Sequence, residues 1–99
     1  MITLIRTITI QPGKLAEAMA WAKEAGIIVK RVTGKESTLC ASFGGVLGAL
    51  AWITRYDDAG QLEDAANKLL ADREYLTAIG KAVGLFVPGS GHDQIWRHV

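Results

Sequence analysis

ITLIRTITIQPG, residues 2–13, is the stretch whose reading decides the fold. Ile2, Leu4, Arg6, Ile8 and Ile10 fall on one side; Thr3, Ile5, Thr7 and Thr9 fall on the other. That alternation is the period of a β-strand, and nearly all of these residues are β-branched or aliphatic. Pro12 and Gly13 stop the strand and turn the chain. One residue breaks the pattern: Arg6 stands in the middle of an otherwise aliphatic row. A guanidinium there is costly unless it is paired or reaches water, which makes Arg6 the strongest pointer to function.

At 99 residues the chain is read as one domain, residues 1–99. Hydrophobic residues make up 49%, enough for a compact core. A chain of this size buries only about 65% of its unfolded surface, so covering a sheet face with a second copy would add stability. The formal net charge of +1 argues against a nucleic-acid binder, which would carry a basic patch. The local excess of Lys30, Arg31 and Lys35 is assigned to a helix C-terminus, where it complements the helix dipole. Cys40 is the single cysteine, so no internal disulfide forms, and a reducing compartment is expected. There is no run of 18 apolar residues for a transmembrane helix, and the alternating start is unlike a signal peptide. A cytoplasmic location is the expectation.

A helical stripe follows the first strand from Lys14 to about Val32: Leu15, Ala18, Met19, Ala22, Ala25, Gly26, Val29 and Val32 recur at three- and four-residue spacing. Trp21 lies beside it. Gly26 is a weak point at which another backbone could approach, and Thr33–Gly34 ends the helix. A second strand is expected over Thr38–Phe43 and a third over Ala49–Tyr56, joined as an antiparallel hairpin through Gly44, Gly45 and Gly48. Either row of the third strand could face a cleft, since both contain apolar residues. Asp58 and Gln61 have the spacing of a capping box before a helix over Ala59–Leu70. Asp72 caps a short helix over Arg73–Val83. Pro88 to Gly91 reads as a loop and Asp93–Val99 as a last strand. The order is βαββαβ with the second helix split, the pattern of an α+β, ferredoxin-like fold. It gives a four-stranded antiparallel sheet with the helices on one face. Thr3, Ile5, Thr7 and Thr9 mark the open face if the aliphatic row meets the helices.

Several short runs resemble the NIPSNAP-like proteins: Ile5-Arg6-Thr7 with Gln11-Pro12-Gly13-Lys14, Arg55-Tyr56-Asp57-Asp58, and Asp72-Arg73-Glu74-Tyr75. They are spread over the whole chain at matching spacing. That family lies in the dimeric α/β-barrel superfamily, with small antibiotic-biosynthesis monooxygenases and haem-degrading proteins. The resemblance implies a homodimer in which two sheets face each other and close a barrel, with pockets between sheet and helices. No haem or other cofactor is expected. The haem-degrading relatives use an Asn on the first strand, a Trp and a helical His. Here Arg6 takes roughly that strand position, and neither His92 nor His98 lies on a predicted helix.

Four residues are candidates for ligand binding: Arg6, Trp52, Tyr56 and Trp21. Arg6 would clamp an anion or carbonyl through its fixed fork of donors, or else form an ion pair with a helix carboxylate. Trp52 and Tyr56 share one side of the third strand, and with Trp21 and Trp96 they supply either an aromatic-lined pocket or ordinary packing. His92 is the candidate proton acceptor. His92, Asp93 and His98 lack metal-ligand spacing, so no metal site is expected. Gly89-Ser90-Gly91 precedes a strand, so no helix N-terminus is there to hold a phosphate.

Three functions remain in view. The first is a small homodimer binding an apolar or aromatic molecule in the sheet–helix cleft, with no catalysis implied. The second is a cofactor-independent monooxygenase, with Arg6 stabilising a phenolate or enolate and Trp52 and Tyr56 orienting the ring. The third is a structural or interaction dimer with a filled core. No nucleic acid or membrane partner is expected. Binding and catalysis need a cavity reaching Arg6; the structural reading needs Arg6 paired and no cavity.

Overall fold

The computed structural model describes residues 1–99. Strand β1 (Ile2–Thr9) is followed by helix α1 (Leu15–Thr33), strands β2 (Thr38–Ala41) and β3 (Ala49–Tyr56), helices α2 (Ala59–Leu70) and α3 (Arg73–Lys81), and strand β4 (His92–Arg97). The sheet order is β2-β3-β1-β4 and every pairing is antiparallel. This is the ferredoxin-like arrangement, with β1 and β3 central and β4 at one edge.

The register settles which rows share a face. Ile2, Leu4, Arg6 and Ile8 of β1 stand opposite Tyr56, Thr54, Trp52 and Leu50 of β3. Side chains alternate across a sheet, so these two rows lie together on the helix side. Thr3, Ile5 and Thr7 stand opposite Arg55, Ile53 and Ala51 on the open side. The row of β3 that the sequence leaves undecided is therefore the Leu50–Trp52–Thr54–Tyr56 row.

Local chemistry accounts for the element ends. Helix α1 stops at Gly34, whose φ of 73° is the left-handed conformation a glycine C-cap supplies, and Gly34 N–H bonds the Lys30 carbonyl. Asp58 accepts the Gln61 N–H at 2.8 Å while the Gln61 side chain accepts the Asp57 N–H at 2.8 Å. That is a capping box shifted by one residue. At α3, Asp72 accepts the Tyr75 N–H at 2.9 Å, and Arg31 from the end of α1 bonds both Asp72 and Glu74.

Several boundaries differ from the sequence expectation. Strand β2 ends at Ala41 rather than Phe43. Ser42 exchanges backbone and side-chain bonds with Ala49 and closes the hairpin there, and Phe43 points into solvent. Helix α3 stops at Lys81, and β4 runs over His92–Arg97. Leu15, expected on the apolar stripe of α1, is exposed, and so is Leu70 at the end of α2. Phe86 was not anticipated at all: its backbone bridges to Ile10, and its ring is buried.

The core is small and falls in two parts. Ile10, Ala18, Ala22, Leu50 and Phe86 form one cluster; Ile2, Leu4, Tyr56 and Ala65 form the other. Alanines on α1 (Ala18 and Ala22 are 0% and 1% exposed) let the helix backbone close onto Leu50. On β1, Arg6 stands between Leu4 of one cluster and Ile8, which packs against the other.

Candidate functional site

Between the two clusters lies a cavity of about 510 Å³. The sheet supplies its floor through Leu4, Arg6, Ile8, Trp52, Thr54 and Tyr56. Helix α1 contributes Trp21, Ala25, Gly26 and Val29, and α3 contributes Tyr75 and Ile79. No atom lies within 4 Å of the place where a Cβ on Gly26 would stand. Gly26 therefore opens onto the cavity and does not receive another backbone.

The aromatic wall is built by edge-to-face packing. Trp21 meets Trp52 at 6.3 Å between ring centroids with an interplanar angle of 88°, and Phe86 at 5.4 Å and 71°. Both are favourable quadrupole geometries. The Trp21 indole N–H donates to the Ala78 carbonyl at 2.8 Å. That bond pins α3 to α1 and makes Trp21 a fixed wall. The Trp52 indole N–H is uncommitted within the chain, and no fully buried side-chain nitrogen or oxygen lacks a partner. Its N–H therefore keeps some solvent access, on a ring that lines the cavity.

Arg6 is bound by a residue of the neighbouring strand. Its Nε donates to Asp93 Oδ1 at 2.7 Å and its Nη2 to Asp93 Oδ2 at 2.9 Å, a bidentate fork. Arg6 and Asp93 are register partners across β1 and β4, so the edge strand, not a helix, supplies the carboxylate. The hydrogen bond from Arg6 holds the Asp93 carboxyl below the usual carboxylate range, and the same bond raises the Arg6 guanidinium. The pair is half-exposed, at 50% and 43% for the two side chains.

Of the five guanidinium N–H bonds, Asp93 takes two, which leaves three. Around them stand two phenols. Tyr56 is only 4% exposed, and its hydroxyl, which has no partner in the chain, keeps some solvent access. Burial raises its pKa, and Arg6 partly offsets the effect. Tyr75 also lines the cavity and interacts electrostatically with Arg6. Ser37 and Thr54 hydroxyls bond each other and so offer less to a guest.

No family model matches the sequence, and no curated protein matches it. Solved structures do. A NIPSNAP domain protein from Burkholderia xenovorans superposes with a TM-score of 0.86 at 18% identity, covering 100% of this chain and 95% of that one. A NIPSNAP family protein from Agrobacterium tumefaciens gives 0.85 at 20% identity, covering 99% and 92%. The chain has the NIPSNAP fold. A putative antibiotic biosynthesis monooxygenase from Nitrosomonas europaea is similar at a TM-score of 0.75 and 11% identity, covering 100% and 99%. At these identities the likeness is one of fold.

On this NIPSNAP fold the four binding candidates, Arg6, Trp52, Tyr56 and Trp21, come together around one cavity. His92 stands opposite Thr7, in the row that faces away from the helices. It borders both the cavity rim and a second hollow of about 450 Å³ by Cys40, Ala51 and Ser90. His98 bonds Thr3 on the open face. Tyr75, Ile79 and Asp93 belong to the site although sequence reasoning did not select them. For Asp93 a signal existed: an acid on the last strand and a lone arginine on the first match as antiparallel partners once the sheet order is known.

Proposed function

We propose that the chain is a homodimeric small-molecule-binding protein whose sheet–helix cavity takes an apolar or aromatic molecule. The observation that carries this reading is the cavity of about 510 Å³, walled by aromatic rings and floored by Arg6. Its size falls in the range of small-molecule sites. Unassigned donors at one end and apolar walls elsewhere are the usual division between orientation and affinity in such sites. Each protomer is one domain, residues 1–99. The dimer is supported by the open sheet face, where Ile5, Ile53 and Ala51 adjoin an exposed Trp96. A cytoplasmic location fits the single free cysteine; no helix is long and apolar enough to cross a membrane.

A monooxygenase reading draws support from the Nitrosomonas europaea neighbour. Binding is favoured over it because the carboxylate beside Arg6 is held in its weakly basic form, and His92 touches only the cavity rim, from the row that faces away from the helices. Native mass spectrometry of the purified protein tests the proposal. A dimer carrying extra mass released on mild denaturation is expected. A monomer, or a dimer that takes up none of a panel of aromatic compounds, would overturn it.

A further inference from the structure

The charge state of the cavity narrows what enters it. Arg6 and Asp93 are the formally charged residues of the lining, and they neutralise each other through the bidentate fork. Lys35 lies over the Tyr56 ring, 5.9 Å from its centroid, but does not line the cavity. An anionic guest would meet a guanidinium whose charge is already answered, with the Asp93 carboxylate beside it. A carboxylate brought out of water without a counter-charge is strongly penalised.

What remains is a surplus of donors. Arg6 has three N–H bonds beyond those given to Asp93, and the Trp52 N–H and the Tyr56 hydroxyl are uncommitted. The Ser37 and Thr54 hydroxyls share one hydrogen bond, and the O–H that this bond leaves unused is a further donor. Donors left without acceptors when a guest displaces their water cost free energy, so a fitting guest brings acceptors. Resting on the binding function proposed above, we infer that the site selects uncharged molecules bearing a carbonyl-type acceptor on an apolar ring, and rejects the corresponding carboxylates. Asp93 is the residue that sets this preference, by keeping Arg6 neutralised.

The test compares 2-acetylnaphthalene with 2-naphthoate, nearly equal in shape, at neutral pH. Binding is followed by quenching of tryptophan emission, since Trp21 and Trp52 form the wall. The ketone is expected to bind at least about tenfold tighter than the carboxylate. In Asp93→Asn, checked for fold by circular dichroism, the Arg6 charge loses its counter-charge and the preference should reverse. Equal binding of the two compounds, or tighter binding of naphthoate by the unaltered protein, overturns the selectivity while leaving the cavity as a binding site. An Asp93→Asn variant with unchanged preference overturns the role of Asp93. If neither compound binds either protein, the binding function itself fails and this inference falls with it.

Discussion

Replacing Arg6 by Met separates an arginine kept for a ligand from one kept for the fold. The change removes the fork to Asp93 but keeps an unbranched stem of similar length between Leu4 and Ile8. Both partners of the pair are about half-exposed, so its worth is that of a surface ion pair, up to about 1 kcal/mol. Asp93 lies on an edge strand exposed along its length, and its freed carboxylate returns to water instead of being stranded. A thioether against the aromatic wall recovers part of the loss. The expected net change in unfolding free energy is therefore within about 1 kcal/mol, with ligand uptake abolished. Urea denaturation followed by circular dichroism measures it, at one fixed protein concentration because the proposed dimer's stability would depend on concentration. A loss above about 3 kcal/mol, the size for breaking a buried pair, would show that Arg6 holds the fold together and would refute the reasoning.

Three further outcomes follow from the same geometry. Asp93 has a lowered pKa in the folded chain, so its stabilising share is present above the unfolded carboxyl value near about 4 and fades as pH falls through the folded value. Acid titration of stability should thus be shallower below about pH 4 in Arg6→Met than in the unaltered protein. Ile53→Lys, at the middle of the open face opposite Ile5, should give a monomer by sedimentation equilibrium; an unchanged dimer would move the interface elsewhere. Leu50→Ala, at a position 1% exposed, should cost about 2–5 kcal/mol in urea denaturation, and a cost under about 1 kcal/mol would mean that the Ala18–Ala22 side of α1 collapses into the gap.

The fold was legible because its signals are local. Alternation in β1, the alanine-rich stripe of α1, the glycine hairpin and the aspartate caps each act within a few residues of themselves. The misplaced ends have local causes of another kind. Ser42 closes the hairpin early by bonding Ala49 with both backbone and side chain, which no alternation pattern anticipates. Leu70 is exposed because α2 is largely exposed, burying only Ala65. The site was half legible. Arg6, Trp52, Tyr56 and Trp21 announce themselves by type and period, whereas Asp93 and Phe86 become site or core residues only through pairings with Arg6 and Ile10 at the far end of the chain, and Tyr75 only through the cavity that α3 borders.

The cavity has a cause that starts at one residue. A continuous aliphatic row on β1 would let both core clusters merge under α1. Arg6 interrupts the row between Leu4 and Ile8, and its fork to Asp93 carries its head toward the β4 edge. Ala18 and Ala22 draw the helix close on one side of this break. At the edge of that same cluster Trp21 is fixed by Ala78 and stands edge-on to Trp52, so large rings hold the layers apart next to the alanines. Rings in that geometry cannot collapse into the gap without losing both the indole hydrogen bond and the edge contacts. The space is therefore maintained by the same residues that line it. Only 13 of the 99 residues are buried, so the packing gained by filling this cavity, and by covering the open sheet face, is large relative to the core that the chain assembles alone.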